Sequence, residues 1–408
     1  MSASSADVSF AAPPARLVVG LGRRNAIGIV APSYGSEKVS YGLAPAGYTF
    51  HKIARVPLQR FERSGTFWHQ TPLLLDYPVA LVHTFNELPL GVRPFVVSFE
   101  NELPRYLGEP AAWQLDAGYA LIASSRCRGV LALSEAAAAG LRQRLAARGL
   151  GELASKVSVF RGSVLAPPGE SSRRVRAPGD PLRVLFVGRD ALRKGLPPTL
   201  DALDACAAAG ARIEATVVCD FAPYTYVGTW TADDTARTVQ RMRAMPGLTH
   251  HERLPNAEIH RLMRSHDVLA FPTLDESLGW VAIEAAMAGM PVLSTDVFAI
   301  PELVLDGRTG HLAGLDKNEA NRWVGLWLRG VAFDEALDAA FATIRTMLVE
   351  ALLAFADRPD EVRALGDAAK AHISALYSFA NAQRALVALY AEAIGGGPGR
   401  VATMANCR

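Results

Sequence analysis

The 408 residues include only four cysteines, Cys127, Cys206, Cys219 and Cys407, far apart and without a CxxC pair or a Cys/His cluster. That excludes a zinc ribbon and a disulfide-stapled secreted module, and points to a reducing compartment. Charge of one sign is equally scarce. With 42 basic against 40 acidic side chains the net charge is +2, so there is no broad positive field for nucleic acid. No apolar run reaches the ~18 residues that a membrane span requires, and none is expected to cross a bilayer. The opening residues, MSASSADVSFAAPPAR, lack a basic segment followed by an apolar core, so no signal peptide is expected. These absences leave a cytoplasmic protein, long enough for two domains that each bury a core.

What is present is alternation. Short apolar runs rich in β-branched residues occur at 17–20, 79–83, 95–99, 119–123, 130–134 and 156–160, then at 182–188, 213–219, 268–272 and 291–294. Their continuous apolar character suits strands buried on both faces, hence parallel sheets covered by helices. Helical patterns at 135–148, 199–209, 257–265 and 281–288 separate them. The result is an α/β chain of two doubly wound halves. A Pro/Gly/Ser/Arg-rich stretch, 166–180, reads as a solvated linker carrying Arg173, Arg174 and Arg176. It sets domains at 1–168 and 181–374, joined by 169–180. From 318 to 360 the pattern is helical, with Trp323, Trp327 and Leu328 on a core face; a last helical stretch ends near 393 and a loose tail covers 395–408. Phe67 and Trp68 read as core ahead of a stacking platform for an acceptor sugar, and His250–His251 as a strand edge rather than metal ligands.

The chemistry concentrates in 267–310, DVLAFPTLDESLGWVAIEAAMAGMPVLSTDVFAIPELVLDGRTG. A buried strand ends in a polar turn, 272–279, and a helix starts near Trp280. In an open parallel sheet such a turn lies at the carboxyl edge, where ligands bind. Gly279 permits close backbone approach, and the amides of Ser277, Leu278 and Gly279 at a helix start favour an anion such as phosphate. Glu276 in the turn and Glu284 in the helix flank that anion. Carboxylates accept from sugar hydroxyls. The arrangement suits a molecule with a sugar on each side of a diphosphate, a nucleotide sugar. Two glutamates eight residues apart carry little alone; the apolar setting of Glu284 strengthens the reading, because an unpaired buried carboxylate is costly.

Positive charge comes from LRVLFVGRDALRKG, 182–195: a strand, the Gly188–Arg189 turn, then Arg193–Lys194–Gly195. Fixed cations lower the barrier to a departing diphosphate. Arg189 and Lys194 are the candidates, with Arg193 as a substitute.

These strings, together with LPNAEIHRLMRSHDVLAFPT between them, resemble the C-terminal domain of retaining glycosyltransferases of family 4, the glycosyl transferases group 1. The resemblance implies the GT-B fold, two Rossmann-like domains facing across a cleft, with the final helix, about 375–393, crossing back to the first. It also implies that Glu276 touches the donor hexose, Glu284 touches the ribose, and Arg189, Lys194 and the turn amides hold the diphosphate. Such enzymes use no metal in the chemistry and no cofactor beyond the nucleotide-sugar co-substrate; consistently, the chain carries no DxD motif.

The first half resembles the family less. VLALSEAAAAGL matches a strand–helix step of the family and VSVFRGSV another, but where many relatives carry a His near the transferred sugar this chain has Glu100, in SFEN. Either Glu100 lies in the cleft or His83 or Asn86 makes the sugar contact. The nearest Gly-rich loop is GLGRRNAIG, 20–28. Helix 135–148 carries Arg142, Arg144 and Arg148, which leaves peripheral membrane contact open beside the reading of a solvated basic face. The expected activity is transfer of a hexose, with retention, from a nucleoside diphosphate (UDP ahead of GDP) to a saccharide, glycolipid or small-molecule hydroxyl, in polysaccharide or glycoconjugate assembly. A nucleotide-sugar isomerase or hydrolase of the same fold, and a non-catalytic nucleotide-sugar-binding module, remain as alternatives.

Overall fold

The computed structural model describes residues 25–30, 44–61, 66–106, 108–164, 174–177, 179–221 and 225–396. The expected strand at 17–20, Arg173 and the tail beyond 396 lie outside the described residues. Within them the chain forms two six-stranded sheets, parallel throughout.

The first sheet contains β1 (Ala26–Val30), β2 (Thr49–Lys52), β3 (Leu81–Phe85), β4 (Phe95–Phe99), β5 (Cys127–Ala132) and β6 (Val157–Val159), in the order β2-β1-β3-β4-β5-β6. β1, β3 and β4 are buried at every residue, as strands covered on both faces must be. The second contains β7 (Leu182–Val187), β8 (Ile213–Val218), β9 (Leu248–His251), β10 (Val268–Phe271), β11 (Val292–Thr295) and β12 (Gly310–Ala313), in the order β12-β11-β10-β7-β8-β9. The order reverses direction between β7 and β10, the topology of a dinucleotide-binding sheet. His250 and His251 lie on the edge strand β9, as expected.

Several expectations fail for identifiable reasons. Residues 119–123 are the end of a helix, Ala112–Ala123, not a strand. Five apolar residues do not distinguish the buried face of a helix from a strand, and this helix lies so close to its neighbour that a Cβ on Gly118 would stand 2.4 Å from Pro104. Ala26–Gly28 belong to β1, so the end of the 20–28 candidate is strand rather than phosphate loop; Gly28 is there because Ile53 packs directly on it.

Within 166–180, Arg174 pairs with Asp267 at 3.1 Å and Asp180 at 2.8 Å, and buried Arg176 donates to the Phe355 and Ala356 carbonyls. Those carbonyls close the helix Val331–Asp357, and a guanidinium satisfies such orphan acceptors well. The described arginines of this stretch are therefore docked, not solvated. That helix begins later than expected, after a 3-10 turn at Val324–Trp327; Trp323 is buried but Trp327 is 57% exposed and not core. At 27 residues, with a most apolar window of mean hydropathy 1.6, it is long and apolar enough to cross a membrane by length and composition. Here it covers the second sheet, burying Ile344, Leu348, Leu352 and Phe355.

Phe67 is buried among aromatic neighbours, stacked on Tyr106 with ring centroids 5.6 Å apart. After the helix Pro359–Leu376, the last described helix, Phe379–Ile394, returns to the first sheet, where the Tyr390 hydroxyl meets His83 on β3 at 2.8 Å.

Candidate functional site

The topological switch point lies outside the carboxyl ends of β7 and β10, where the connections from these neighbours leave in opposite directions. Turn 188–195 leaves from β7 and turn 272–279 from β10, and the two are in contact. The Leu274 amide donates to the Arg193 carbonyl at 2.7 Å. Gly195 has φ of +72°, and a Cβ there would lie 2.2 Å from the Pro272 carbonyl oxygen. Only glycine accommodates both the left-handed backbone and that approach.

This contact brings Lys194 and Glu276 together as a hydrogen-bonded ion pair, 10% and 16% exposed. Burial would push the Glu276 carboxyl up, but Lys194, Arg193 and the Ser277 amide, which donates at 3.0 Å, outweigh it and hold the group below its usual range. For Lys194 burial dominates and lowers the ammonium below its ordinary value, with Glu276 opposing. Gly188 lies against the Lys194 stem: a Cβ would stand 2.8 Å from Cγ.

Two further arginines are held by other carboxylates, although the Arg193 charge also acts on Glu276. Arg193 is fixed to the turn, with Nε to Asp190 at 3.1 Å and Nη1 to the Asp275 carbonyl at 2.9 Å. Arg189 is 71% exposed and donates at 3.0 Å to Asp220, at the end of β8, which also accepts from Arg253 at 2.6 Å.

Gly279, with φ of +90°, opens the helix Trp280–Met287, and Leu278 is buried so that only its backbone faces the turn. Glu284 lies on that helix, 19% exposed, with His260 Nε2 at 3.9 Å. One further carboxylate, Asp275, organises the turn: it accepts from the Tyr226 hydroxyl at 2.6 Å and pairs with Arg322. Asp275, Tyr226 and Arg322 were not singled out from sequence. Asp275 adjoins Glu276 and was the one visible signal; Tyr226 and Arg322 stand in strings without a motif.

The first half reaches this site through SFEN. Glu100 Oε1 accepts from Trp280 Nε1 at 3.2 Å, and Asn101 accepts from the same Arg322 that holds Asp275. Asn86, with φ of +58°, supports the segment by accepting from the Glu100 amide at 3.1 Å. Burial raises the Glu100 carboxyl above its usual range; the Trp280 hydrogen bond and Arg105 oppose, and the Glu276 carboxylate adds to the rise. Of the three acceptor candidates, Glu100 thus faces the second half and Asn86 braces it. His83 does not. It is fully buried, its Nδ1 and Nε2 engage Tyr390 at 2.8 Å and Ser98 at 2.9 Å, and burial lowers its pKa to about 3. It is a core histidine that ties the last helix to β3. Among the described residues no cluster of three or more His, Cys, Asp or Glu side chains forms a metal site.

Residues 181–323 match the family model for Glycosyl transferases group 1. A D-inositol 3-phosphate glycosyltransferase of Arthrobacter sp. is 40% identical over 76 residues, 19% of this chain and 18% of that protein. An alpha-maltose-1-phosphate synthase of Mycolicibacterium smegmatis is 34% identical over 142 residues, 34% of this chain and 35% of that one. The chain thus spans about a third or less of the length of these curated relatives. Likeness of the whole fold extends further. The crystal structure of Anabaena Alr3699/HepE in complex with UDP and glucose superposes with a TM-score of 0.54 at 15% identity, over 89% of this chain and 90% of that one. A glycosyltransferase from Rickettsia africae does so with the same score and identity, over 90% and 98%. Residues 181–323, which carry the switch-point turns, thus match the glycosyl transferases group 1 family model, on a chain with the two-domain GT-B fold.

Proposed function

We propose that the chain is a retaining glycosyltransferase that moves a hexose from a nucleoside diphosphate, UDP ahead of GDP, to a hydroxyl acceptor in cytoplasmic polysaccharide or glycoconjugate assembly. The observation that carries this reading is the Lys194–Glu276 pair at the switch point, beside the helix start at Gly279. The family of residues 181–323 and the names of the relatives support it; among proteins of this fold, HepE has been crystallised with UDP and glucose.

In this reading the diphosphate lies over the amides of Ser277, Leu278 and Gly279, where the positive end of the helix dipole faces it. Lys194 transfers its partnership from Glu276 to the phosphate and stabilises the charge that develops as the sugar bond breaks. Glu276, freed on one side, accepts from hexose hydroxyls, and Glu284 accepts from ribose hydroxyls. Arg189 adds a second cation by leaving Asp220. The departing phosphate oxygen takes the acceptor proton on the face it leaves, so configuration is retained and no metal or other cofactor is required. Glu100, held by Trp280, accepts from a hydroxyl on the acceptor side.

A melting-temperature screen against UDP- and GDP-sugars tests the reading. A ligand at about 100 times its Kd adds roughly 2.7 kcal/mol of stability, so a UDP-sugar should raise the melting temperature and Glu284→Ala should abolish most of the rise. If no nucleotide sugar moves the transition, the proposal fails.

A further inference from the structure

Away from the switch point, one carboxylate ties the two halves together. Glu302, in the short helix Ile300–Leu303 beyond β11, reaches into the first half. Its Oε2 accepts from the Glu135 amide at 3.0 Å and its Oε1 from the Ala136 amide at 2.9 Å. The Oε2 atom also accepts from Arg161 Nη2 at 2.8 Å. The two amides open the helix Glu135–Ala147, whose cap Ser134 accepts only from Ala137, at 3.1 Å. A helix start leaves its first amides without intrahelical partners, and its dipole favours an anion there. Ser134 satisfies the third amide and Glu302 the first two. The anion at the start of a first-half helix is thus a side chain of the second half.

The position matters as much as the chemistry. Arg161 belongs to the segment leaving the first sheet after β6, and three residues on the Val164 amide donates to the Tyr377 carbonyl at 3.3 Å, where the chain returns. His372, on the helix Pro359–Leu376 that precedes the return, donates through Nε2 to the Glu302 carbonyl at 2.9 Å. Glu302 therefore sits beside both crossings of the chain between the halves, where a rotation of one half against the other would turn. Small rotations at a pivot are amplified at the rim of the cleft.

We propose that Glu302 is a positioning residue whose carboxylate clasps the helix start at Glu135 and Arg161 and so sets how closely Glu100 approaches Trp280 and the donor turn. The clasp needs the charge and both oxygens; an amide of the same size supplies one acceptor and places an N–H against another donor. The activity readout rests on the glycosyl-transfer reading, whereas the shape readout does not.

The test compares wild type with Glu302→Gln by small-angle X-ray scattering, and by transfer and hydrolysis of a nucleotide sugar. The expected result is a cooperative melt, a larger radius of gyration, transfer kcat lowered roughly tenfold, donor affinity unchanged, and a larger share of donor lost to water because the cleft no longer excludes it. Unchanged scattering overturns the clasp. Changed scattering with an unchanged ratio of transfer to hydrolysis overturns its role in positioning. If E302Q does not fold, Arg161→Gln, which leaves both amide contacts, must open the molecule in the same direction, and wild-type scattering from that variant also overturns the proposal. If wild type binds no nucleotide sugar, the functional reading fails while the scattering comparison still decides the clasp.

Discussion

The two sheets of this protein have the same number of described strands and the same parallel sense, yet they build their shares of the cleft differently. The second supplies two continuous loops, 188–195 and 272–279, that touch at Gly195 and Pro272 and present a cation, an acid and a helix start together. The first supplies isolated side chains, Glu100, Asn101 and Asn86, that act only by reaching across or bracing what reaches across. A pocket for a charged, multi-part donor needs preorganised groups at fixed spacing, and contiguous loops provide it. A surface that meets a second molecule after closure does not need contiguous sequence.

The comparison breaks most sharply at Lys194. Replacing it with Ala removes the cation that the proposed transfer sets against the leaving group, and kcat should fall about 10²–10³-fold, with nucleotide affinity changing much less. A variant with full turnover by an assay of released nucleoside diphosphate would move the donor site elsewhere.

Next in size is Gly195→Ala. The new Cβ meets a backbone carbonyl at 2.2 Å at positive φ, so the two loops must separate. Stability should drop by about 2–3 kcal/mol, read by denaturant unfolding, with loss of nucleotide-induced stabilisation; a variant of wild-type stability and binding contradicts the loop contact.

A smaller effect separates the two sides. Glu284→Ala should weaken donor binding, whereas Glu100→Gln should leave it intact and raise the acceptor KM by roughly tenfold. Calorimetry for donor and steady-state kinetics for acceptor would show whether the division holds, and equal loss of donor affinity in both variants would erase it.

The remaining test lies in the first half alone. His83 stays neutral in the folded protein down to about pH 3, whereas the unfolded chain protonates it near 6.5. Between these values the unfolded state binds more protons, so stability falls as the pH is lowered through that window. Buried Glu87, raised to about 7 by desolvation against the pull of Arg55, acts in the opposite sense over its own range. The difference in melting temperature between wild type and His83→Gln isolates the histidine. It should shift in favour of the variant as the pH falls from 6.5 toward 4. A constant difference would mean the ring protonates without breaking its contacts to Tyr390 and Ser98.

How much could be read in advance followed the same division. The second half was readable because its groups lie in strings with strand, turn and helix signals in order, so Lys194, Glu276, Gly279 and Glu284 could be placed on the correct elements. Arg189 shows the limit: its position beside Gly188 is local, but its guanidinium follows Asp220, 31 residues away in sequence. In the first half His83 stood as an alternative to Glu100 for the sugar contact. Its neighbours Ser98 and Tyr390, the latter 307 residues distant, turned it into the core. The run at 119–123 failed for want of length, and the solvated reading of Arg174 and Arg176 failed because composition registers neither the carboxylates that Arg174 meets nor the helix end that Arg176 caps.

By itself the sequence determined the parallel, helix-covered architecture and the placing of cation, acid and glycine on the turns 188–195 and 272–279. Both follow from local patterns of burial, backbone permissiveness and charge that any neighbour must respect. Tertiary structure alone decided that Lys194 pairs with Glu276, that Glu100 and Asn101 meet Trp280 and Arg322, and that Glu302 ends a helix of the other half. These are contacts between segments 82 to 221 residues apart, where strand order and the return of the final helix set the partner and chain distance carries no information.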